Sequence, residues 1–259
     1  MIRAIRSELI KLWRPRPVVV GTLVVTAYAI ASAALVLAAA RPAGSFGIGP
    51  STASLSKAGG GTEVFTRGLA FAGFFVLVLF IGAVAMEFSR GTVRTMTLRQ
   101  PDRLRLLTGK LLAMLGSAAL VLAWMELVGW ITARLLAGSQ GVDAGGWASA
   151  AGLRAGVADY ATVLYWITGY ALLGTALAIL IRSVPIALAV GVAWAGPFEH
   201  IVAGAWHLAD RVFPGLLLES VVGSERYPVS PQQAFLTSLG YTTVAATVAA
   251  VSFVRRDVA

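Results

Sequence analysis

The sequence predicts an all-α polytopic membrane protein, on three observations: a surplus of apolar residues, long runs without a charge, and basic residues gathered into short segments between those runs. Hydrophobic residues make up 58% of the 259 and charged residues 13%, with a mean hydropathy of +0.79. An ordinary soluble domain has about 45–50% apolar and about 25% charged residues. A chain this size has no water-soluble core large enough to hide the difference.

A helix needs roughly 20 apolar residues to cross the hydrocarbon. Val18–Ala40 offers 23 uncharged residues, Leu69–Met86 18, Tyr160–Ile181 22 and Ala234–Val254 21. Leu111–Ala133 runs for 23 residues with Glu126 as its one charge. Val184 opens a sixth, irregular run that meets Glu199 and His200 and reaches Ala205. The expected spans are therefore 18–40, 69–86, 111–133, 160–181, 184–205 and 234–254 of a single transmembrane domain covering 1–259. The first run is too long for a cleaved signal, whose apolar part is about 7–15 residues, and reads as a retained span.

The net charge of +9 does not imply nucleic acid here, because excess Lys and Arg marks the cytoplasmic loops of membrane proteins. With the N-terminus inside, the inner segments Met1–Pro17, Glu87–Lys110, Arg182–Ser183 and Arg255–Ala259 hold 14 of the 21 Lys and Arg. Both termini are expected on the cytoplasmic side. The absence of cysteine excludes disulfides and thiol catalysis.

Residues 1–16 read as an interfacial helix whose partner is membrane lipid. Ile2, Ile5, Leu9, Leu12 and Trp13 share one face, with Arg3, Ser7, Lys11 and Arg14 opposite. Apolar residues and Trp on one side with Lys and Arg on the other suit a helix lying in the membrane surface. Pro15 and Pro17 stop it, since proline lacks a donor and clashes with the preceding turn. Arg41–Gly68, rich in Gly, Ser and Pro, reads as a flexible loop without chemistry.

The inner loop Glu87–Lys110 is more specific. Ser89-Arg90-Gly91-Thr92 offers a helix start, and Val93, Met96 and Gln100 share a face, giving a helix over Thr92–Gln100 about 13 Å long. Pro101 interrupts it, and Asp102 can cap the next helix, which carries Arg103, Arg105 and Lys110 into Leu111. Spacing alone allows a docking element or a solvated loop that only sets topology.

The run Glu87-Phe88-Ser89-Arg90-Gly91-Thr92-Val93-Arg94, followed by Arg99-Gln100-Pro101-Asp102-Arg103 and Lys110-Leu111-Leu112, resembles the loop between second and third spans of bacterial ATP-binding-cassette export permeases. The opening Ile5-Arg6-Ser7-Glu8-Leu9-Ile10-Lys11-Leu12 is similar to the start of that family. The resemblance implies a six-span subunit of the cytoplasmic (inner) membrane with an interfacial N-terminal helix, short re-entrant helices before the last span, and a cytoplasmic coupling helix over 91–102. Glu87, Gly91, Thr92, Arg94, Arg99, Pro101, Asp102, Arg103 and Lys110 would form the ATPase-coupling set. The partners implied are a separate P-loop ATPase subunit and a second copy or a paralogue of the permease. ATP and Mg²⁺ would belong to that ATPase subunit, because Gly109-Lys110 is followed by Leu and lacks the upstream glycine of a phosphate-cradling P-loop. No catalytic, cofactor or metal site is expected in this chain.

Three residues inside the spans are candidates for a translocation pathway: Glu126, Glu199 and His200. An acid in hydrocarbon costs about 2.5–3.5 kcal/mol on insertion scales, so it faces a cavity or a partner. The bland reading of Glu126 is a protonated, hydrogen-bonded packing residue. Both acids lie 15 residues into their runs, at one expected depth. Gly196-Pro197 is expected to break the helix before Glu199, Ile201–Val212 to be helical, and Pro214-Gly215 to end that piece. The alternative is one kinked span reaching Ala205. A transporter not driven by ATP is the alternative function, and an intramembrane enzyme using the Glu199–His200 region is a further one.

Overall fold

A computed structural model of the chain describes residues 2–42, 49–69, 72–99, 102–223 and 229–255, with the backbone alone for 2, 3, 94, 96, 97 and 99. Every regular element among them is helical: α1 (Ile2–Leu12), α2 (Pro15–Ala38), α3 (Thr52–Leu55), α4 (Gly60–Gly68), α5 (Ala72–Ser89), α6 (Thr92–Arg99), α7 (Arg103–Ala137), α8 (Ala150–Ile181), α9 (Val184–Ala193), α10 (Glu199–Ala205), α11 (Ala209–Val212), α12 (Pro214–Val222) and α13 (Pro231–Arg255). Among the described residues six helical stretches are long and apolar enough to span: Pro15–Ala38, Ala72–Ser89, Arg103–Gln140, Ala150–Ile181, Val184–Ala205 and Pro231–Arg255. Val19, Leu23, Leu35, Leu79, Leu120 and Val244 on these stretches are each more than half exposed. Apolar side chains turned outward on so many helices are what lipid covers, and the chain is a polytopic membrane protein.

The helices outrun the uncharged runs. α7 begins at Arg103 and α8 at Ala150, ten residues before the expected Tyr160. A charge interrupts hydropathy, but Arg154 and Asp159 leave the helical backbone bonds intact.

The chain divides into two compact units. The first comprises 1–9, 71–115 and 165–259. One of its cores joins Val84 and Ala85 of α5, Val93 of α6, Leu107 of α7, Ile179 of α8 and Phe253 of α13. Val93 thus ties α6 to the unit, and Phe88 meets Phe253 edge-to-face with ring centres 6.1 Å apart. Between α9 and α10 the helix widens into a π turn, Trp194–Phe198, with Pro197 inside it. The irregular span is therefore continuous from Val184 to Ala205, and extended backbone at Trp206 ends it. The expected helix over Ile201–Val212 is consequently two pieces. Pro214 begins α12 rather than ending the previous piece, because proline at the first helical position loses no bond a helix would make there.

The second unit comprises 10–70 and 116–164. Here the expected flexible loop Arg41–Gly68 is corrected, since its described residues form α3 and α4. Ser51 caps α3 by accepting the Ser54 N–H at 3.0 Å. Leu55 and Val64 are fully buried in a core with Leu37, Ala133, Val142 and Trp147. The Trp147 indole N–H donates to the Leu55 carbonyl at 2.9 Å. The glycines that suggested flexibility serve close packing instead. A Cβ on Gly60 would run into the Leu55 carbonyl, and one on Gly61 would stand 2.8 Å from both the Trp130 and Trp147 rings.

Candidate functional site

The residues singled out in the sequence fall into three groups. In the first unit, Lys110 Nζ lies 2.8 Å from Glu87 Oε1 and 3.5 Å from Glu8 Oε2. Lys110 and Glu8 are buried, and the Glu87 side chain is 17% exposed. One ammonium thus joins the ends of α1, α5 and α7. Gly109 permits the approach, because a Cβ there would stand 2.7 Å from the Ala4 Cβ. The described face that α1 buries is therefore Ala4 and Glu8, while Ile5 and Leu9 are half-buried and Leu12 and Trp13 are exposed. Ile5, Leu9, Leu12 and Trp13, the residues expected on the lipid-contacting face, thus keep part or most of their surface open. Part of the α1 surface is a protein contact, closed by the Glu8 charge.

The loop between α5 and α6 turns on Gly91, whose φ of +67° lies in the left-handed region that side chains disfavour. The Gly91 N–H donates to the Phe88 carbonyl at 3.1 Å, and the Thr92 hydroxyl donates to the Glu87 carbonyl at 3.1 Å. At the other end Asp102 caps α7 as expected: its Oδ1 accepts the Arg105 N–H at 3.0 Å. Arg103 Nη1 donates to the Val254 carbonyl at 3.4 Å, at the carboxyl end of α13, where a helix dipole favours a cation. The backbone of Arg94 and Arg99 belongs to α6, while their side chains, Gln100 and Pro101 lie outside the described residues. Of the coupling set, the structure brings Glu87, Gly91, Thr92, Asp102, Arg103 and Lys110 to the two ends of α6 and its flanking helices.

Glu199 is 1% exposed. Its Oε1 accepts the Gly215 N–H at 3.3 Å and its Oε2 the Leu216 N–H at 3.0 Å. These are free donors of the first turn of α12, which Phe213 leaves without a side-chain cap. The Trp194 indole also bonds this carboxylate. Trp194 and Glu199 are five residues apart, the spacing that a π turn brings to one face. His200 Nδ1 lies 2.8 Å from the Gly196 carbonyl, and Nε2 lies 3.3 Å from Glu219 Oε2. A carbonyl only accepts, so Nδ1 carries a proton in this arrangement. A proton on Nε2 as well makes the Glu219 contact an ion pair. Tyr170 reaches the other Glu219 oxygen at 3.4 Å.

Glu126 belongs to the second unit. It faces Asp159 electrostatically, and Asp159 in turn has Thr62 and Glu63 near it, the Thr62 hydroxyl donating to the Gly59 carbonyl at 3.0 Å. Gly156 makes room, since a Cβ there would meet Thr62 Cγ2 at 3.2 Å and Glu126 Oε1 at 3.6 Å. The two acids expected at one depth thus have separate neighbourhoods, each with an acid of its own beside it.

The sequence reading missed Glu8, Asp159, Glu219 and Thr62. Asp159 stands one residue before the Tyr160 run, and Glu219 interrupts Leu216–Val222. Both could have been found by asking which charges flank or break an apolar run. No family model matches the chain, and no curated protein matches it.

Proposed function

We propose that this chain is the membrane-spanning permease subunit of an ATP-driven exporter, working with a separate P-loop ATPase subunit and a second copy or a paralogue of itself. The observation that supports this best is the framing of α6. A left-handed glycine and a Thr92 hydroxyl bond fix its start, Asp102 caps the helix that follows, and Val93 is buried beneath it. Leu98, 79% exposed, stands on its outer side. A short rigid helix with an exposed apolar residue and flanking arginines is suited to pressing against another protein.

Force on α6 would reach the spans through Glu87 and Lys110. A Lys shared by a buried and a half-buried carboxylate makes α1, α5 and α7 move together, because parting them would leave a charge in the interior without its counter-charge. ATP-driven closure of the partner would then tilt these helix ends as one lever and switch access between the two sides. In this reading α6 and both termini are cytoplasmic.

The test is co-purification of the tagged chain from its own host with a P-loop subunit, and ATP-dependent transport by the complex. Leu98→Asp and the pair Arg94→Glu with Arg103→Glu should each weaken association or uncouple ATP hydrolysis from export. Full association and export in all of these variants would remove α6 from the interface. Orientation is checked separately with cysteines at Ser139 and Ser89: an impermeant reagent should label the first from outside intact cells and not the second.

A further inference from the structure

Within the first unit, α8, α9 and α13 wall a cavity of about 360 Å³ whose lining is almost wholly carbon. Leu173, Leu177 and Gly191 are its less exposed, inner lining, and Val244 and Val248 its more exposed lining, with Ala245 between them in sequence. The volume falls in the range of small-molecule sites, roughly 300–1,000 Å³. Its polar neighbours are largely engaged. The Glu199 oxygens accept the Gly215 and Leu216 N–H groups, and the Tyr170 hydroxyl lies 3.4 Å from both the Gly215 carbonyl and Glu219 Oε1. Water needs about two to four polar partners to stay in a buried site, and this lining offers it few.

We propose that the cavity holds one acyl chain of a membrane lipid. Three observations point to that occupant. The lining comes almost entirely from helices long and apolar enough to span, with Pro214 and Gly215 the exceptions. Leu180, Val190, Val244 and Val248 are each more than a third exposed, so the rim belongs to the surface that lipid covers. The one carboxylate that reaches it, Glu199, accepts two backbone N–H groups, so the lining presents no charge committed to a cationic ligand. A chain that leaves the bilayer for this cavity gains no hydrophobic energy, since both surroundings are apolar. What favours entry is dispersion, because the walls of an empty cavity lack partner atoms on one side. Occupancy therefore depends on shape, and a side chain that fills the space displaces the lipid. The proposal is independent of the transport reading.

The full-length chain is reconstituted into phosphatidylcholine vesicles containing a trace of phosphatidylcholine with a photoactivatable diazirine in one acyl chain. No other hydrophobe is present, which separates a lipid chain from the tail of a transported molecule. After irradiation, label is expected on the inner wall at Leu173, Leu177 or Gly191, besides the outward faces of the spans. Val248→Trp and Ala245→Phe, made singly, should abolish the inner-wall label while leaving that on α2 unchanged. Two variants are used so that one failing to give monodisperse protein does not end the test. An unlabelled inner wall in the parent protein overturns the proposal, as does inner-wall label that persists in both variants. A disulfide between two copies carrying Val244→Cys, together with an unlabelled wall, assigns the cavity to a second copy and also overturns it.

Discussion

Glu199 and Glu126 are both carboxylates inside spanning helices, each 15 residues from the start of its apolar run and each with a second acid nearby, yet only Glu199 is held by an array of donors. Glu199 is met by donors: two N–H groups of α12 and the Trp194 indole. Glu126 is met by another acid, Asp159, with Gly156 holding space open beside it. The first arrangement stabilises a fold, because it closes a helix end that would otherwise leave buried N–H groups unpaired. The second does not, since two acids side by side favour separation. Position within an apolar run therefore does not distinguish the two acids, whereas their neighbours do.

The largest effect expected from this contrast is at Glu199→Ala. It leaves Gly215 and Leu216 N–H without an acceptor and should lower stability by about 3 kcal/mol. The thermal unfolding midpoint of purified protein in detergent reads this, and a midpoint equal to the parent's would show that α12 does not depend on the cap. Glu199→Gln keeps one carbonyl acceptor and should lose less, about 1–2 kcal/mol by the same measurement. At Glu126→Gln the fold should stay within about 1 kcal/mol of the parent, the range of changes that break no stabilising contact. If the proposed export is correct, that variant should assemble normally but transport less, or with an altered pH profile. Asp159→Asn should behave alike, and its effect on transport should not add to that of Glu126→Gln, because the two carboxyls interact electrostatically. A greater stability loss at Glu126→Gln than at Glu199→Gln would reverse the comparison.

The six spans and their order were legible because hydropathy over about 20 residues is a bulk property that no single contact alters. The Asp102 cap and the α6 helix were legible for a different reason: capping is local, and its signal lies within four residues. What escaped depends on contacts distant in sequence. Glu8 could not be paired with Lys110 across 102 positions, so the helix it sits on was assigned to lipid alone. Gly60 and Gly61 were read as slack because composition cannot tell a glycine that moves from one that two tryptophans press against. Pro214-Gly215 carries the same ambiguity, as proline stops a helix from inside and starts one from its first position. Around α6, the turn at Gly91 and the cap at Asp102 declared themselves locally, whereas the Glu87 ion pair needed its partner.

The π turn at Trp194–Phe198 has a geometric consequence for the helix that contains it. A π turn holds one residue more than an α turn, and each residue of an α-helix advances the azimuth by about 100°. The turn is thus a phase shift: residues before it and residues after it address different directions although the axis continues. Val190 can face outward in one phase while Glu199 meets the start of α12 in the other. Removing a single residue between 194 and 198 would erase the shift, swing the carboxylate by about a quarter of a revolution, and leave α12 uncapped with every side chain of that cap still present in the chain.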